Sequence, residues 1–250
     1  MLVILSLLVG LIIELYITNN TLSPGIMIWI NVPIFALTFI IGMYWSKKPL
    51  GYFIHQKFIP LATWIIIIFT TFGLVIVMGE ISNLIIYYFP IPDYIYTLFE
   101  NVLSSGWGLT AAILVAAITE EFLFRGMILS GLSKNYSFWP AIFLSSLLFG
   151  VIHLIPWQIF PAFVAGIFLG WVYLKFKSIW LCMGIHGINN AVSAIPEYLD
   201  ITIPGLVYDV REGVQFQPIW LDMIGMILLI FGIFTLNKLS SDRYNKSTVV

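Results

Sequence analysis

Three short segments of the sequence combine acidic, imidazole and amide side chains at spacings that suit catalysis. In chain order they are Glu120-Glu121 with Arg125, Phe149 with His153, and His186 with Asn190. A carboxylate in a low-dielectric environment can serve as a general base for water, and an imidazole with an amide N–H₂ can donate hydrogen bonds to an oxyanion. The set therefore has the parts for hydrolysis of an amide bond by water. The sequence shows no Ser-His-Asp set, no nucleophilic cysteine arrangement and no H-E-x-x-H motif.

Helical spacing within each segment indicates which side chains act together. Glu121 and Arg125 are four residues apart, with the acid N-terminal to the base, so they are predicted to form an ion pair on one helix face. Glu120 is rotated by about 100° from its neighbour, which leaves it free to face a polar cavity. His186 and Asn190 project together from one helix face. By the same spacing, the phenylalanine of the second segment shares a face with its histidine and is expected to wall the cavity.

The composition indicates that membrane helices must position these residues. Hydrophobic residues make up 60% of the chain and charged residues only 9%, whereas a soluble domain carries about 25% charged residues. We therefore predict an all-α, polytopic membrane helix bundle embedded in a lipid bilayer. The net charge of −1 gives no indication of a nucleic-acid partner. The single cysteine, Cys182, excludes an intramolecular disulfide and a cysteine-cluster metal site.

Apolar runs close to the length of a membrane helix, about 20 residues, predict about eight spans. They cover roughly residues 2–18, 25–45, 61–79, 108–131, 138–155, 158–174, 179–195 and 219–237. The short apolar stretch Leu84–Phe89 is expected to lie at the interface or to extend the third helix. The chain is interpreted as one integral membrane domain, residues 1–250, with a catalytic core at about 108–195. Its oligomeric state is not indicated by the sequence.

The charged residues between the spans predict the orientation of the bundle. The basic residues fall on one side if both termini are cytoplasmic, as the positive-inside rule requires. They are Lys47, Lys48, Lys57, Lys134, Lys175, Lys177, Lys238, Arg243 and Lys246. The opposite loops contain acidic residues and one cation, namely Asp93, Glu100, Glu197, Asp200, Asp209, Glu212 and Arg211. We predict a multi-pass protein of the cell membrane with both termini in the cytoplasm.

Ionisable residues inside membrane helices are costly, and each is a candidate functional residue. A rise of about 1.5 Å per residue allows the four candidate catalytic residues to share one layer near the bilayer midplane. His55, Glu14 and Glu80 are instead interpreted as surface or interfacial groups. Gly166 and Gly170 form a G-x-x-x-G pattern, which predicts close packing of two helices.

The three segments resemble the CAAX protease and bacteriocin-processing family of intramembrane endopeptidases, also called type II CAAX prenyl endopeptidases or the abortive-infection family. The family pattern of E-E-x-x-x-R, F-x-x-x-H and H-x-x-x-N appears in order, within about residues 110–195. The resemblance implies that Glu120 and His153 activate water and that His186 and Asn190 stabilise the oxyanion. Glu121 and Arg125 would support the site.

The same resemblance implies a substrate and a biological setting. The substrate would be a membrane-embedded peptide or protein, and the role would lie in bacteriocin immunity or peptide maturation. The composition is typical of a bacterial chain.

Two questions stay open at this point. Glu120, His153 and His186 could form a His₂Glu zinc site, but Asn190 beside His186 suits an oxyanion-binding pair better, so we predict glutamate-activated water with no obligatory metal. The alternative functions are a non-proteolytic immunity or partner-binding membrane protein, and a transporter with the same residues as an ion relay. The sequence shows no repeated halves of the kind found in many transporters.

Overall fold

A computed structural model of the protein describes residues 58–247 and, before them, residues 33, 36–44, 47, 49 and 51. Residues 36–44 are helical. The predicted span 2–18, most of the predicted span 25–45, and the residues Glu14 and His55 lie outside the described residues.

The described part of the chain is a bundle of helices joined by short turns, except for the longer segment 199–218 before the last helix. The helices are α1 (Leu61–Tyr88), α2 (Asp93–Leu103), α3 (Gly106–Leu132), α4 (Phe138–Val151), α5 (Pro156–Phe176), α6 (Ile179–Tyr198) and α7 (Ile219–Ser247). A 3₁₀ turn covers Val210–Glu212, and a single β-bridge joins Ile203 to Val207. The described residues contain no β-strand beyond this bridge. The prediction of an all-α membrane bundle is confirmed.

The helices differ in how well they could cross a membrane. Within the described residues, three are long and apolar enough, namely α1, α5 and the Ile219–Ser241 part of α7. α2 and α3 together make a fourth candidate, bent by 93° at the break between them. Of the two alternatives for Leu84–Phe89, the structure shows an extension of the third span, since α1 continues to Tyr88. The total of eight spans stays a prediction.

The predicted span 138–155 is wrong as a single crossing helix. α4 has 14 residues and ends at Val151, which gives a rise of about 21 Å, whereas the hydrocarbon core is about 30 Å thick. Apolar composition continues to Ile155, but the backbone turns after Val151, and Leu154 adopts the left-handed conformation with φ of 58°. His153 therefore lies in the turn between α4 and α5, not inside a helix.

Small residues allow the helices that carry the site to approach closely. A Cβ atom at Gly166 would lie 3.0 Å from the Ser146 Cβ atom, and one at Gly170 would lie 3.2 Å from Ile142. The predicted packing role of the G-x-x-x-G pattern is confirmed, and its partner is α4. α1 and α7 are similarly close, because a Cβ atom at Gly73 would lie 2.6 Å from the backbone nitrogen of Leu229.

The two ends of the bundle carry opposite charge. At one end, Lys175 donates a hydrogen bond to Asn237 at 3.2 Å, which brings the end of α5 beside α7. At the other end, Arg211 pairs with Asp209 at 2.6 Å and with Glu100 at 3.6 Å. The segregation of basic and acidic residues seen along the sequence is therefore preserved in the fold. The assignment of the lysine-rich end to the cytoplasm stays a prediction.

Candidate active site

A buried ion pair lies at the centre of α3. Arg125 Nη1 donates to Glu121 Oε1 at 2.7 Å, and the two side chains are 1% and 0% exposed. Arg125 Nη2 also donates to the Gly166 carbonyl at 3.3 Å, and the guanidinium lies 4.4 Å from the centre of the Phe149 ring. The predicted pairing of Glu121 with Arg125 is confirmed. The arginine also links α3 to α5 and α4.

His186 lies between the two adjacent glutamates. Its Nδ1 atom is 2.9 Å from Glu121 Oε1, and its Nε2 atom is 3.9 Å from Glu120 Oε2. An ionised carboxylate only accepts hydrogen bonds, so Nδ1 carries the proton of the shorter contact. A distance of 3.9 Å is too long for a direct hydrogen bond but suits a bridging water or substrate oxygen. Helix α6 thus aligns its histidine with both acidic residues of α3.

Glu120 differs from its neighbour in its contacts. Its side chain is 16% exposed, and its Oε2 atom is buried without a hydrogen-bond partner among the described residues. Glu121 Oε1, in contrast, accepts hydrogen bonds from Arg125 and His186, although Glu121 Oε2 is also buried without a partner among the described residues. Helical rotation explains the difference in contacts, since adjacent residues point about 100° apart. Glu120 carries no ion pair to an arginine and is 16% exposed against 0% for Glu121, so it is the carboxylate better placed to bind another molecule.

His153 is oriented by the end of α4. Its Nδ1 atom lies 2.8 Å from the carbonyl oxygen of Phe149. A carbonyl oxygen only accepts, so Nδ1 is the donor, and Nε2 of the neutral ring is left as an acceptor. The Phe149 ring makes edge contacts with both histidines, 5.1 Å from His153 and 5.7 Å from His186 between ring centres. The Phe149 ring therefore lies in contact with both imidazole rings, which brings them into the same region.

Asn190 is held by an irregular stretch of α3. The Ala111–Val115 segment is π-helical, and the carbonyl of Ala112 accepts a hydrogen bond from Asn190 Nδ2 at 2.8 Å. Asn190 Oδ1 accepts from Asn189 at 3.2 Å. Such π-helical turns occur frequently at functional sites. An amide nitrogen has two hydrogens, so one N–H of Asn190 is left for another acceptor.

A cavity of about 290 Å³ adjoins these residues. Its wall includes Phe149, His153, Gln158, His186, Asn189 and Asn190. Glu120 reaches this group through its contact with His186. The structure thus brings all four predicted catalytic residues into one region, and the prediction that Phe149 walls the cavity is confirmed.

The alternative zinc ligands do not form a cluster. Within the described ranges, no group of three or more His, Cys, Asp or Glu side chains is placed to hold a metal ion. The donor types of Glu120, His153 and His186 would suit zinc, and the protein partner on Nδ1 of each histidine leaves Nε2 available to a metal. The described residues do not cluster as a His₂Glu site, and the metal requirement stays a prediction.

A second polar cluster was not found from the sequence. Glu80 Oε2 accepts hydrogen bonds from Asn83 at 3.1 Å and from the backbone of Gln217 at 2.9 Å. Asn83 also donates to the Gly205 carbonyl at 2.6 Å and accepts from the Tyr208 hydroxyl at 2.9 Å. Glu80 therefore does not stand alone, contrary to the prediction, whereas its interfacial position stays a prediction. The sequence signals were a charge in an apolar helix and Asn83 three residues later, because the remaining partner of Glu80, Gln217, lies 137 residues away.

Comparison with known proteins identifies the part of the chain that carries the site. Residues 102–192 match the family model of type II CAAX prenyl endopeptidase Rce1-like proteins. This region is similar to that family. It runs from the end of α2 into α6 and contains every motif residue described above. No curated protein and no solved structure matches the chain.

The Rce1-like region, together with the apolar helices, places the chain among multi-pass membrane proteins. The family that this region resembles is described as one of type II CAAX prenyl endopeptidases.

Proposed function

We propose that the protein is an intramembrane endopeptidase that hydrolyses a peptide bond of a membrane-associated peptide or protein. The observation that supports this most directly is the contrast between two adjacent carboxylates. Glu121 is paired with Arg125 at 2.7 Å, whereas Glu120 makes no hydrogen bond to the described residues and faces His186. One acid is thus structural and the other is available to a water molecule.

In the proposed reaction, Glu120 accepts a proton from a water molecule while the oxygen of that water attacks the scissile carbonyl carbon. The new C–O bond converts the carbonyl oxygen into an oxyanion. The same carboxyl group then gives the proton to the leaving nitrogen, and the C–N bond breaks. The products are a carboxylic acid and an amine, with one water consumed. A single carboxylate can act first as base and then as acid because it is regenerated in each cycle.

The remaining polar residues have supporting roles in this proposal. Nε2 of neutral His153 is an acceptor and would help orient the water. His186, when both ring nitrogens are protonated, donates Nδ1–H to Glu121 and Nε2–H to the oxyanion. The second N–H of Asn190 would complete the oxyanion site. Fixed donors of this kind stabilise developing charge without reorganising during the reaction.

The deciding experiment compares Glu120→Gln with the wild type by proteomics of membrane-derived peptides. The change keeps the size of the side chain and removes the base. We expect peptides released by the wild type to disappear in the variant. Glu212→Gln is the matched control, because Glu212 is exposed in the 3₁₀ turn and does not line the cavity.

The outcome also separates the alternative functions. A non-proteolytic immunity or partner-binding protein should tolerate Glu120→Gln, so an unchanged peptide profile with a retained cellular phenotype would overturn the proposal. Loss of both the released peptides and the cellular phenotype in Glu120→Gln would link proteolysis to that phenotype. A role in bacteriocin immunity or peptide maturation in a bacterial cell membrane is part of this proposal, and the resemblance of the three motifs is its support.

A further inference from the structure

The cavity beside His186 extends beyond the catalytic residues. A second cavity, of about 400 Å³, lies against it on the side of α2 and the 201–217 segment. The two cavities share four lining residues, namely Met78, Gln158, Asn189 and Ser193. Because the same side chains line both, the two cavities adjoin at these four residues, which we call the neck.

The second cavity leads on to a third of about 130 Å³ among the acidic loops. They share five lining residues, namely Tyr96, Glu100, Glu197, Val207 and Tyr208. The side chains of Glu100 and Arg211 in the third cavity are 49% and 37% exposed. The three cavities therefore lie in series between the surface and His186, and this series is the candidate route. None of the described lysines lines any of them.

The outer wall of this route is a fixed part of the fold. The 201–217 segment is tied to α1 by the hydrogen bonds of Asn83 with Gly205 and Tyr208, and by those of Gln217. Gln217 Nε2 also donates to the Ile76 carbonyl at 2.9 Å. Gly205 has φ of +71°, and a Cβ atom there would lie 2.5 Å from the Gln217 nitrogen. A glycine is therefore required at the closest approach, and the wall is held in place along its length.

We infer that the substrate reaches His186, and the neighbouring Glu120 behind it, along these adjoining cavities, from the face that carries the acidic loops. The inference rests on the proposed endopeptidase function. The lysine-rich end, where Lys175 contacts Asn237, is the opposite end of the bundle, and the positive-inside rule assigns that end to the cytoplasm. The substrate class is therefore a peptide, or the end of a membrane protein, that is exposed on the extracytoplasmic side of the membrane.

Thiol labelling of intact cells tests the route. Ser193→Cys places a thiol at the neck, and Ser137→Cys is the matched control at an exposed position near Lys134. The native Cys182 is 0% exposed and gives little background. With a sulfonated, membrane-impermeant maleimide, we expect Ser193→Cys to be labelled in intact cells. Ser137→Cys should be labelled only after permeabilisation.

Labelling of Ser193→Cys only after permeabilisation, or under neither condition, would overturn the inference. Val192→Cys, on the wall of the second cavity, gives a second position if the first variant does not accumulate. The two cysteine variants at positions 193 and 192 are also labelled in a Glu120→Gln background. Labelling does not require peptide release, so the route is tested even if the protein is not a peptidase. Failure of the endopeptidase function and failure of the route are thus separate results.

A second measurement connects solvent access to the substrate. Peptide release is compared before and after complete labelling of the same variant. We expect release to be lost once the bulky maleimide occupies position 193 and to continue after labelling of Ser137→Cys in permeabilised cells. Continued release from fully labelled Ser193→Cys would show that the substrate uses another path.

Discussion

Replacement of Arg125 by methionine is expected to lower the unfolding free energy of the protein, because it leaves the carboxylate of Glu121 unpaired in the core. Arg125 and Glu121 are 1% and 0% exposed, and their atoms are 2.7 Å apart. Removal of one partner of a buried ion pair costs about 3–5 kcal/mol of unfolding free energy. Glu121 keeps its hydrogen bond from His186 at 2.9 Å, so we expect a loss near the lower end, about 3 kcal/mol.

The matching change on the other side of the pair is Glu121→Gln. It keeps an oxygen that can accept from His186 but leaves the guanidinium without its counter-ion, at a similar cost of about 3 kcal/mol. The double variant removes both charges. The double variant still lacks the hydrogen bond from Arg125 to Gly166 and the contact of Arg125 with Phe149, and each loss lowers the unfolding free energy by about 1 kcal/mol. It also removes Arg125 Nε, a buried donor without a partner among the described residues, whose burial costs about 1–3 kcal/mol.

These numbers predict that the double variant is more stable than either single variant. For that to hold, the coupling energy of the cycle must exceed about 3 kcal/mol, the upper end of values for residues in contact. Unfolding can be followed by tryptophan fluorescence during titration with sodium dodecyl sulfate. Lys175→Met is the control, since an exposed cation that donates to Asn237 is worth less than about 1 kcal/mol.

Additive losses in the double variant would refute this reasoning, because they would mean that Glu121 and Arg125 do not share one interaction. A fully stable but inactive Arg125→Met protein would also contradict it. That result would place the guanidinium in the chemical step and not in support of the site.

Three further predictions concern packing, pH and metal. Gly166→Ala should lower the unfolding free energy by about 1–3 kcal/mol, because its methyl group would press on the Ser146 backbone 3.1 Å away; a thermal melt unchanged from wild type would contradict this. Burial, then the nearby Glu100 and Asp209, raises the pKa of Glu197 in the folded state. A raised carboxyl pKa gives stability that is lost as the pH rises through the folded-state value, so Glu197→Gln should raise the melting temperature at neutral pH and less at about pH 4. An equal gain in melting temperature at neutral pH and at about pH 4 would contradict the raised pKa of Glu197. Exhaustive zinc chelation should leave peptide release unchanged, because glutamate-activated water requires no metal. The contrary result would be one zinc per chain by elemental analysis, with peptide release lost on removal of the zinc and restored when zinc is added. That result would make Glu120 a zinc ligand.

Local properties of the chain were predictable because they depend on neighbouring residues only. The excess of apolar over charged residues requires a membrane environment, and this determined the all-α class. The Glu121–Arg125 pair followed from a four-residue spacing on one helix face, which helix geometry fixes wherever the helix lies. The close approach at Gly166 followed in the same way from small residues at helical spacing, although its partner α4 was not predicted.

Contacts between distant segments were decided by the tertiary structure. Helical spacing allowed Glu120 to face a cavity, but it did not indicate that His186, 65 residues from Glu121, lies between the two glutamates. The end of α4 at Val151 was also missed, because apolar residues continue through Ile155 while the backbone turns. The Glu80 cluster joins residues separated by as many as 137 positions. Such contacts depend on how whole helices pack, and periodicity along one helix contains no information about its neighbours.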